Sequence, residues 1–337
     1  MKNLILKSIA TAAGAALLSG AAMAATITGA GATFPYAVYT KWAEAYKAQT
    51  GKEVNYQGIG SSGGIKQINA KTVDFGGTDS PVKVNKLAEK GQIQVPTVMG
   101  GVTIVINLPG FESGDLKLDG VTAANIFRGA ITKWNDPAIV ALNPGKNLPS
   151  TAITISHRSD GSGTTDTATK YLAKQSAEFK KDVGAGKSVN WPVNAVGGKG
   201  NPGVAANVMK IKGSIGYVDI ADALKNKMTL VALKNKAGNF VLPNQQRVAA
   251  AAGGADFTVP GMAPDLLDQT HPDAWPITTA TYMIAYAKGD DSARQKEVVD
   301  FFTWSLNNGQ AMAEELGFVA LPPNVVKMVE KEMTKIK

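Results

Sequence analysis

Val54-Asn55-Tyr56-Gln57-Gly58-Ile59-Gly60-Ser61-Ser62-Gly63-Gly64 joins a short β-rich run to a Gly/Ser turn, and 64–70 then reads as the start of a helix. The same unit recurs on both sides. Upstream, 26–27 reads as a strand and 35–49 as a helix, with Tyr36, Tyr39, Trp42, Ala43 and Tyr46 at helical spacing on a core face and Gly51 as its stop. Downstream, 73–76 is a strand, 81–90 helical and 102–106 a buried strand. A second series follows: helix 122–127, strand 153–156, helix 164–173, helix 204–210 and a strand at 215–217. Residues 235–270 read as irregular with short helices, 277–287 is a β-rich run, 296–306 a helix and 327–337 an amphipathic tail. Strand and helix alternation of this kind makes an α/β protein. The last elements read as a return to the first domain, giving two crossings between lobes.

Composition narrows what such a chain can do. The 337 residues are 44% hydrophobic and 18% charged, enough for about two globular domains. Cys is absent, which excludes disulfides, thiol nucleophiles and Cys-based zinc sites. His157 and His271 are the only histidines, so no His-rich metal site is expected and none is assigned. Lys2 and Lys7 flank an Ala/Gly-rich apolar stretch at 8–18 ending in Ala22-Met23-Ala24, an export signal expected to be cleaved after Ala24. The stretch is shorter than the ~20 residues a bilayer span needs. Formal net charge is +8, falling to +6 once residues 1–24 leave. Lysines and arginines are scattered without interleaved aromatics, which argues against nucleic-acid binding.

Four segments place Gly, Ser, Thr or Asp just before a predicted helix: Gly31-Ala32-Thr33-Phe34-Pro35, Gly60-Ser61-Ser62-Gly63-Gly64, Gly77-Thr78-Asp79-Ser80-Pro81 and Arg158-Ser159-Asp160-Gly161-Ser162-Gly163-Thr164. Any one alone reads as ordinary N-capping. Four together, one with an arginine, read as an anion site built on helix N-termini. Arg158 matches an oxyanion bidentately, and Asp160 is placed to brace it. Asp79 either caps the helix expected from Pro81 or accepts a hydrogen bond from an anion that carries a proton. Phosphate has such a proton at neutral pH and sulfate does not.

Rival motifs are weaker. Gly58, Gly60 and Gly63 match G-x-G-x-x-G with Asp79 downstream, a dinucleotide fingerprint, but Ser61-Ser62 adds hydroxyls it does not need, and export removes the chain from nucleotide cofactors. Gly186-Lys187-Ser188 fails as a Walker A ending because Lys181 stands where glycine is required. Ser162 with His157 would suit an exported phosphate-ester hydrolase, yet Asp160 breaks the G-x-S-x-G pattern.

The runs TGAGATFP (28–35), NYQGIGSSGG (55–64), VDFGGTDSP (73–81), HRSDGSGTT (157–165), GGKGNPGV (197–204), GSIGYVD (213–219) and DAWPIT (273–278) resemble the phosphate-binding component of the bacterial high-affinity phosphate ABC transporter, over about residues 28–325. The resemblance implies a two-lobed periplasmic-binding-protein fold of type II, two mixed-sheet domains joined by a two-segment hinge. Lobe I would comprise 25–106 plus 277–337, and lobe II 107–276. It implies phosphate contacts from Thr33, Phe34, Ser61, Asp79, Arg158, Ser162, Gly163 and Thr164, with Asp160 supporting Arg158. It also implies a monomeric periplasmic carrier that performs no chemistry, needs no cofactor and hands phosphate to transmembrane permease subunits.

Overall fold

The computed structural model describes residues 26–337; the expected export signal, 1–24, lies outside the described residues. Numbered along the chain, the strands are β1 (Ile27–Gly31), β2 (Val54–Gly58), β3 (Phe75–Thr78), β4 (Gln92–Asn107), β5 (Lys117–Leu118), β6 (Thr154–Arg158), β7 (Ala195–Gly198), β8 (Ser214–Asp219), β9 (Thr229–Leu230), β10 (Ala232–Lys234), β11 (Phe240–Val241) and β12 (Thr278–Tyr286). The large sheet runs β2-β1-β3-β12-β4-β8-β6-β7, with β9 also on β4; β11-β10-β5 form a small second sheet. β1, β2 and β3 are parallel, as are β6, β7 and β8, whereas β12 and β4 run against their neighbours.

β4 joins the two halves. It is 16 residues long, about 50 Å at strand rise, and buried along all but its last residue. Gln92–Gly101 pair with β12, and Val102–Asn107 pair with β8. The chain comes back beside the same point: Val102 N–H donates to Ile277 O and the Trp275 indole to Val102 O, both at 2.9 Å. Gly101 must lack a side chain here, because a Cβ would come 2.6 Å from Ile220 and 2.8 Å from the Trp275 ring. The result is an α/β fold of two lobes on one mixed sheet.

Each lobe has its own aromatic core. In the first, Tyr39 stacks on Trp42 at 5.7 Å and Phe75 meets Phe302 edge-on at 5.0 Å. Tyr36 departs from its expected core position and is 47% exposed, since it starts the helix Tyr36–Thr50 at the cleft side. Gly51 ends that helix at φ 75°, as expected. In the second lobe Phe127, Trp134, Tyr171, Phe179 and Tyr217 are buried. Several expected bounds move. The helix after β2 starts at Ser61, three residues early; the helix expected at 81–90 is only Val84–Lys90; the tail helix is Pro323–Met333, burying Val325, Val329 and Met333. The segment 235–270 holds β11, the helix Gln245–Ala252 and a 3-10 turn, Pro260–Met262.

Candidate anion-binding site

Four helix N-termini meet between the lobes. Ser61 begins the helix Ser61–Asn69 and Gly163 the helix Gly163–Gln175, and the Gly163 N–H donates to Ser61 Oγ at 3.0 Å. Ser62 N–H donates to Gly161 O at 2.9 Å beside them. Thr33, just before Tyr36–Thr50, accepts at Oγ1 from the N–H of Asn201, in the first turn of Gly200–Lys210, at 3.2 Å. Gly60 has φ 88°, and a Cβ there would lie 2.1 Å from Asp160 Oδ2, so this turn requires glycine for both backbone and space. The N–H groups of Thr33, Phe34, Ser61 and Thr164 donate to no acceptor among the described residues. Helix starts carry such unused donors and the positive end of the dipole.

The hydroxyls are set by the same contacts. Ser61 Oγ accepts from both Gly163 and Asp79 N–H (3.3 Å), so its proton is available to another acceptor. Ser162 caps its helix by accepting from Thr165 N–H, and its own N–H goes to Lys187 O. Thr164 Oγ1 accepts from Arg158 at 3.3 Å and likewise retains a free O–H. Ser61, Ser162 and Thr164 are fully buried.

Arg158 is 4% exposed and held from three sides. Its Nε and one terminal nitrogen grip Asp160 at 2.8 and 2.6 Å; the other terminal nitrogen reaches Thr164 Oγ1 and Asn201 Oδ1. The bidentate face assigned to the anion from sequence is therefore taken by Asp160. Four of the five guanidinium N–H groups are engaged and one is left. Burial pushes Asp160 up, but Arg158 and the Gly200 N–H outweigh it and hold the carboxyl below its usual range. The pair is close to neutral in sum.

Asp79 is 2% exposed and does not cap a helix: Lys83 precedes Val84–Lys90, and Asp79 Oδ1 instead accepts from Thr281 Oγ1 at 2.8 Å. Burial pushes its carboxyl up to about 7, against the pull of Thr281 and Arg158 and with a further push from Asp166. Gly163 packs against it; a Cβ there would lie 2.7 Å from Asp79 Cβ and 2.6 Å from Ser61 Oγ. Thr281 stands opposite a bulge in β4: it pairs with Val98 and Tyr282 with Pro96, leaving Thr97 as the extra residue.

All nine residues named from sequence thus gather in one region, Phe34 through its backbone, since its ring packs on Phe318. Of the four segments, 77–81 is not followed directly by a helix; the fourth N-terminus is Lys199-Gly200-Asn201 instead. Asn201 and Thr281 were missed. Asn201 was legible as a Gly-Asn-Pro helix start after a strand; Thr281, 202 positions from Asp79, carried no local signal. The rivals gain nothing. His157 bonds Arg158 O and stacks on Trp191, and burial lowers its pKa against the pull of that carbonyl. Its ring makes no hydrogen bond to Ser162 among the described residues. The dinucleotide reading needs β2 beside β3, but β1 separates them.

A two-lobed α/β fold with convergent helix starts in its cleft defines a solute-binding protein. The model of the PBP superfamily domain matches residues 18–308. The phosphate-binding protein PstS of Xylella fastidiosa (strain 9a5c) is 50% identical over 90% of this chain and 84% of its own. That of Pasteurella multocida (strain Pm70) is 49% identical over 93% and 92%. A solved human phosphate binding apolipoprotein superposes with a TM-score of 0.73 at 22% identity, covering 90% of this chain and 93% of that one, a likeness of fold. The chain belongs to the PstS phosphate-binding-protein family within that superfamily.

Proposed function

We propose that this chain binds one inorganic phosphate between its lobes, closes over it and delivers it to a membrane ABC permease for uptake. The observation that carries this is the meeting of four helix starts around a near-neutral Arg158–Asp160 pair and a buried carboxyl, Asp79. Relatives at about half identity named as phosphate-binding proteins support it.

In this reading Thr33 gives N–H and hydroxyl, Phe34 its N–H, and Ser61 its N–H and the proton left free by its two acceptor bonds. From the other lobe Ser162 gives a hydroxyl and Thr164 an N–H and hydroxyl. Gly163 shares its N–H between Ser61 and the anion, and Arg158 gives its remaining N–H. Dipoles replace the anion's water shell without a large buried countercharge, and exclusion of water strengthens each bond. Asp79 as carboxylate accepts the proton of hydrogen phosphate; sulfate offers none and meets like charge. Donors from both lobes make the ligand favour the closed form. Ser162, whose oxygen accepts the helix cap and which has no hydrogen-bonded base among the described residues, supports a carrier without catalysis.

The lobe limits belong to this proposal, 25–106 plus 277–337 and 107–276, supported by the crossing at Val102 and Ile277. So do export with cleavage after Ala24, periplasmic location and a monomeric state; among the described residues no helix is long and apolar enough to cross a membrane. Calorimetry of residues 25–337 with phosphate and with sulfate tests it: micromolar or tighter phosphate binding with sulfate largely ignored is expected, and equal affinities would overturn it.

A further inference from the structure

A groove of about 680 Å³ opens beside the caged residues, with Ser62 and Ser80, neighbours of Ser61 and Asp79, in its wall. Six lysines line it, Lys66, Lys83, Lys86, Lys90, Lys170 and Lys187, against one acid, Asp166. Lys86 pairs with Glu89 and Lys170 with Asp166. Lys66, Lys83, Lys90 and Lys187 have no carboxylate partner among the described residues. Lys187 is the least exposed of the six. Its carbonyl accepts the N–H of Ser162, and its ammonium reaches across to Ser80 Oγ at 3.5 Å, joining the two walls next to Asp79.

The cage itself offers little attraction at a distance. Asp160 cancels Arg158, Asp79 adds negative charge when ionised, and the remaining donors are dipoles whose field fades within a few ångströms. Full charges act out to about a Debye length, ~8 Å at physiological salt. Walls of one sign around a concave surface concentrate the opposite ion and raise association rates by about 10- to 1,000-fold. The lysines come from both sides of the cleft: Lys66, Lys83 and Lys90 around the helices Ser61–Asn69 and Val84–Lys90, and Lys187 from the loop supporting Ser162.

We propose that this lysine groove is the capture port for the oxyanion: it draws phosphate to the mouth of the cage and sets the association rate, while the cage sets affinity and choice of anion. The inference rests on the phosphate reading above.

The test is rapid filtration with radiolabelled phosphate for association, and a chase with unlabelled phosphate for dissociation, on the full mature chain at low and high salt. Lys66→Gln/Lys83→Gln/Lys90→Gln/Lys187→Gln should slow association about tenfold at low salt and flatten its salt dependence, leaving dissociation within about twofold. Because Lys187 is partly buried, the triple variant that keeps it serves as a second measurement, with a smaller drop of the same kind. A control with equal charge loss elsewhere, Lys117→Gln/Lys210→Gln/Lys234→Gln/Lys331→Gln, should keep the steep salt dependence. Groove and control variants with matching association rates would overturn the port. A port variant that changes only dissociation would do the same. If the unaltered chain shows no phosphate binding by calorimetry, the functional reading falls and the port with it.

Discussion

Thr281 donates its hydroxyl to Asp79 Oδ1 at 2.8 Å across 202 positions of chain, from the stretch of β12 that faces the bulge at Thr97 of β4. The bond is one of two forces restraining a carboxyl that burial drives up to about 7, from an ordinary 3.8. Because the folded-state value lies above the unfolded one, the folded protein keeps a proton that the unfolded chain has lost. Stability therefore falls as pH rises from about 4 to about 7 and then levels off. Three units correspond to about 4 kcal/mol. Asp79→Asn removes this cost, so the ligand-free variant should melt several degrees higher than the unaltered protein above pH 7, with the gap closing near pH 4. Thermal denaturation across that range checks it, and a gap independent of pH contradicts it.

In the phosphate reading proposed above, the same titration would set the choice of anion. At about pH 8.5 Asp79 is ionised and can only accept, so sulfate should be refused; at about pH 5.5 it is neutral and can donate. Sulfate binding should therefore appear on acidification, and Asp79→Asn should bind sulfate at both values. Competition of sulfate against labelled phosphate measures this directly.

Thr281→Val deletes the restraint while keeping the shape. A lost bond to a charged group is worth about 1.5–3 kcal/mol, so the pH at which sulfate begins to compete should rise by a unit or more. Phosphate affinity at neutral pH should weaken about tenfold. A variant whose sulfate profile overlays that of the unaltered chain would show that Thr281 only packs.

Much of this site was legible from residue order. Helix starts announce themselves through short polar residues and glycine, so the segments around Thr33, Ser61 and Arg158 could be found and their common chemistry inferred. Asp79 was found, but its two readings could be separated only by seeing that no helix follows it until Val84. What failed depended on distant partners. The first ten residues of β4 contain Pro96 and Gly100-Gly101, which locally read as breaks; Pro96 is tolerated at the bulge, and the glycines because Phe34, Ile220 and Trp275 fill the space a side chain would need. β5, β9 and β11 are two residues each, too short to show a period.

Gly163→Ala tests closure apart from folding. Its Cβ would come within 2.7 Å of Ser61 and Asp79, both across the cleft, so the cores of the lobes should be untouched. The ligand-free melting temperature should stay within about 2 °C, while phosphate should no longer raise it; bound ligand at 100 times Kd otherwise adds about 2.7 kcal/mol. Full phosphate stabilisation in this variant would mean that the two helix starts need not touch.

Asn201 ties the lobes and the arginine together. Its side chain accepts from Arg158 at 3.0 Å and donates to Asp219 at 2.6 Å, while its N–H donates to Thr33 of the other lobe at 3.2 Å. Asp219 is itself buried, and burial, with Asp222 beside it, drives its carboxyl upward. Asn201→Ala would leave one arginine N–H and one carboxyl oxygen buried without partners, at about 1–3 kcal/mol each. Only the arginine's loss bears on the anion, so phosphate affinity should fall about 10- to 100-fold. Asn201→Asp would satisfy the arginine but set a second carboxylate against Asp219, so it should recover affinity in acid, where one of the two is protonated, and lose it again as pH rises. Calorimetry of both variants at two pH values separates a residue that positions Arg158 from one that merely fills space, because a filler would give the same loss at either pH.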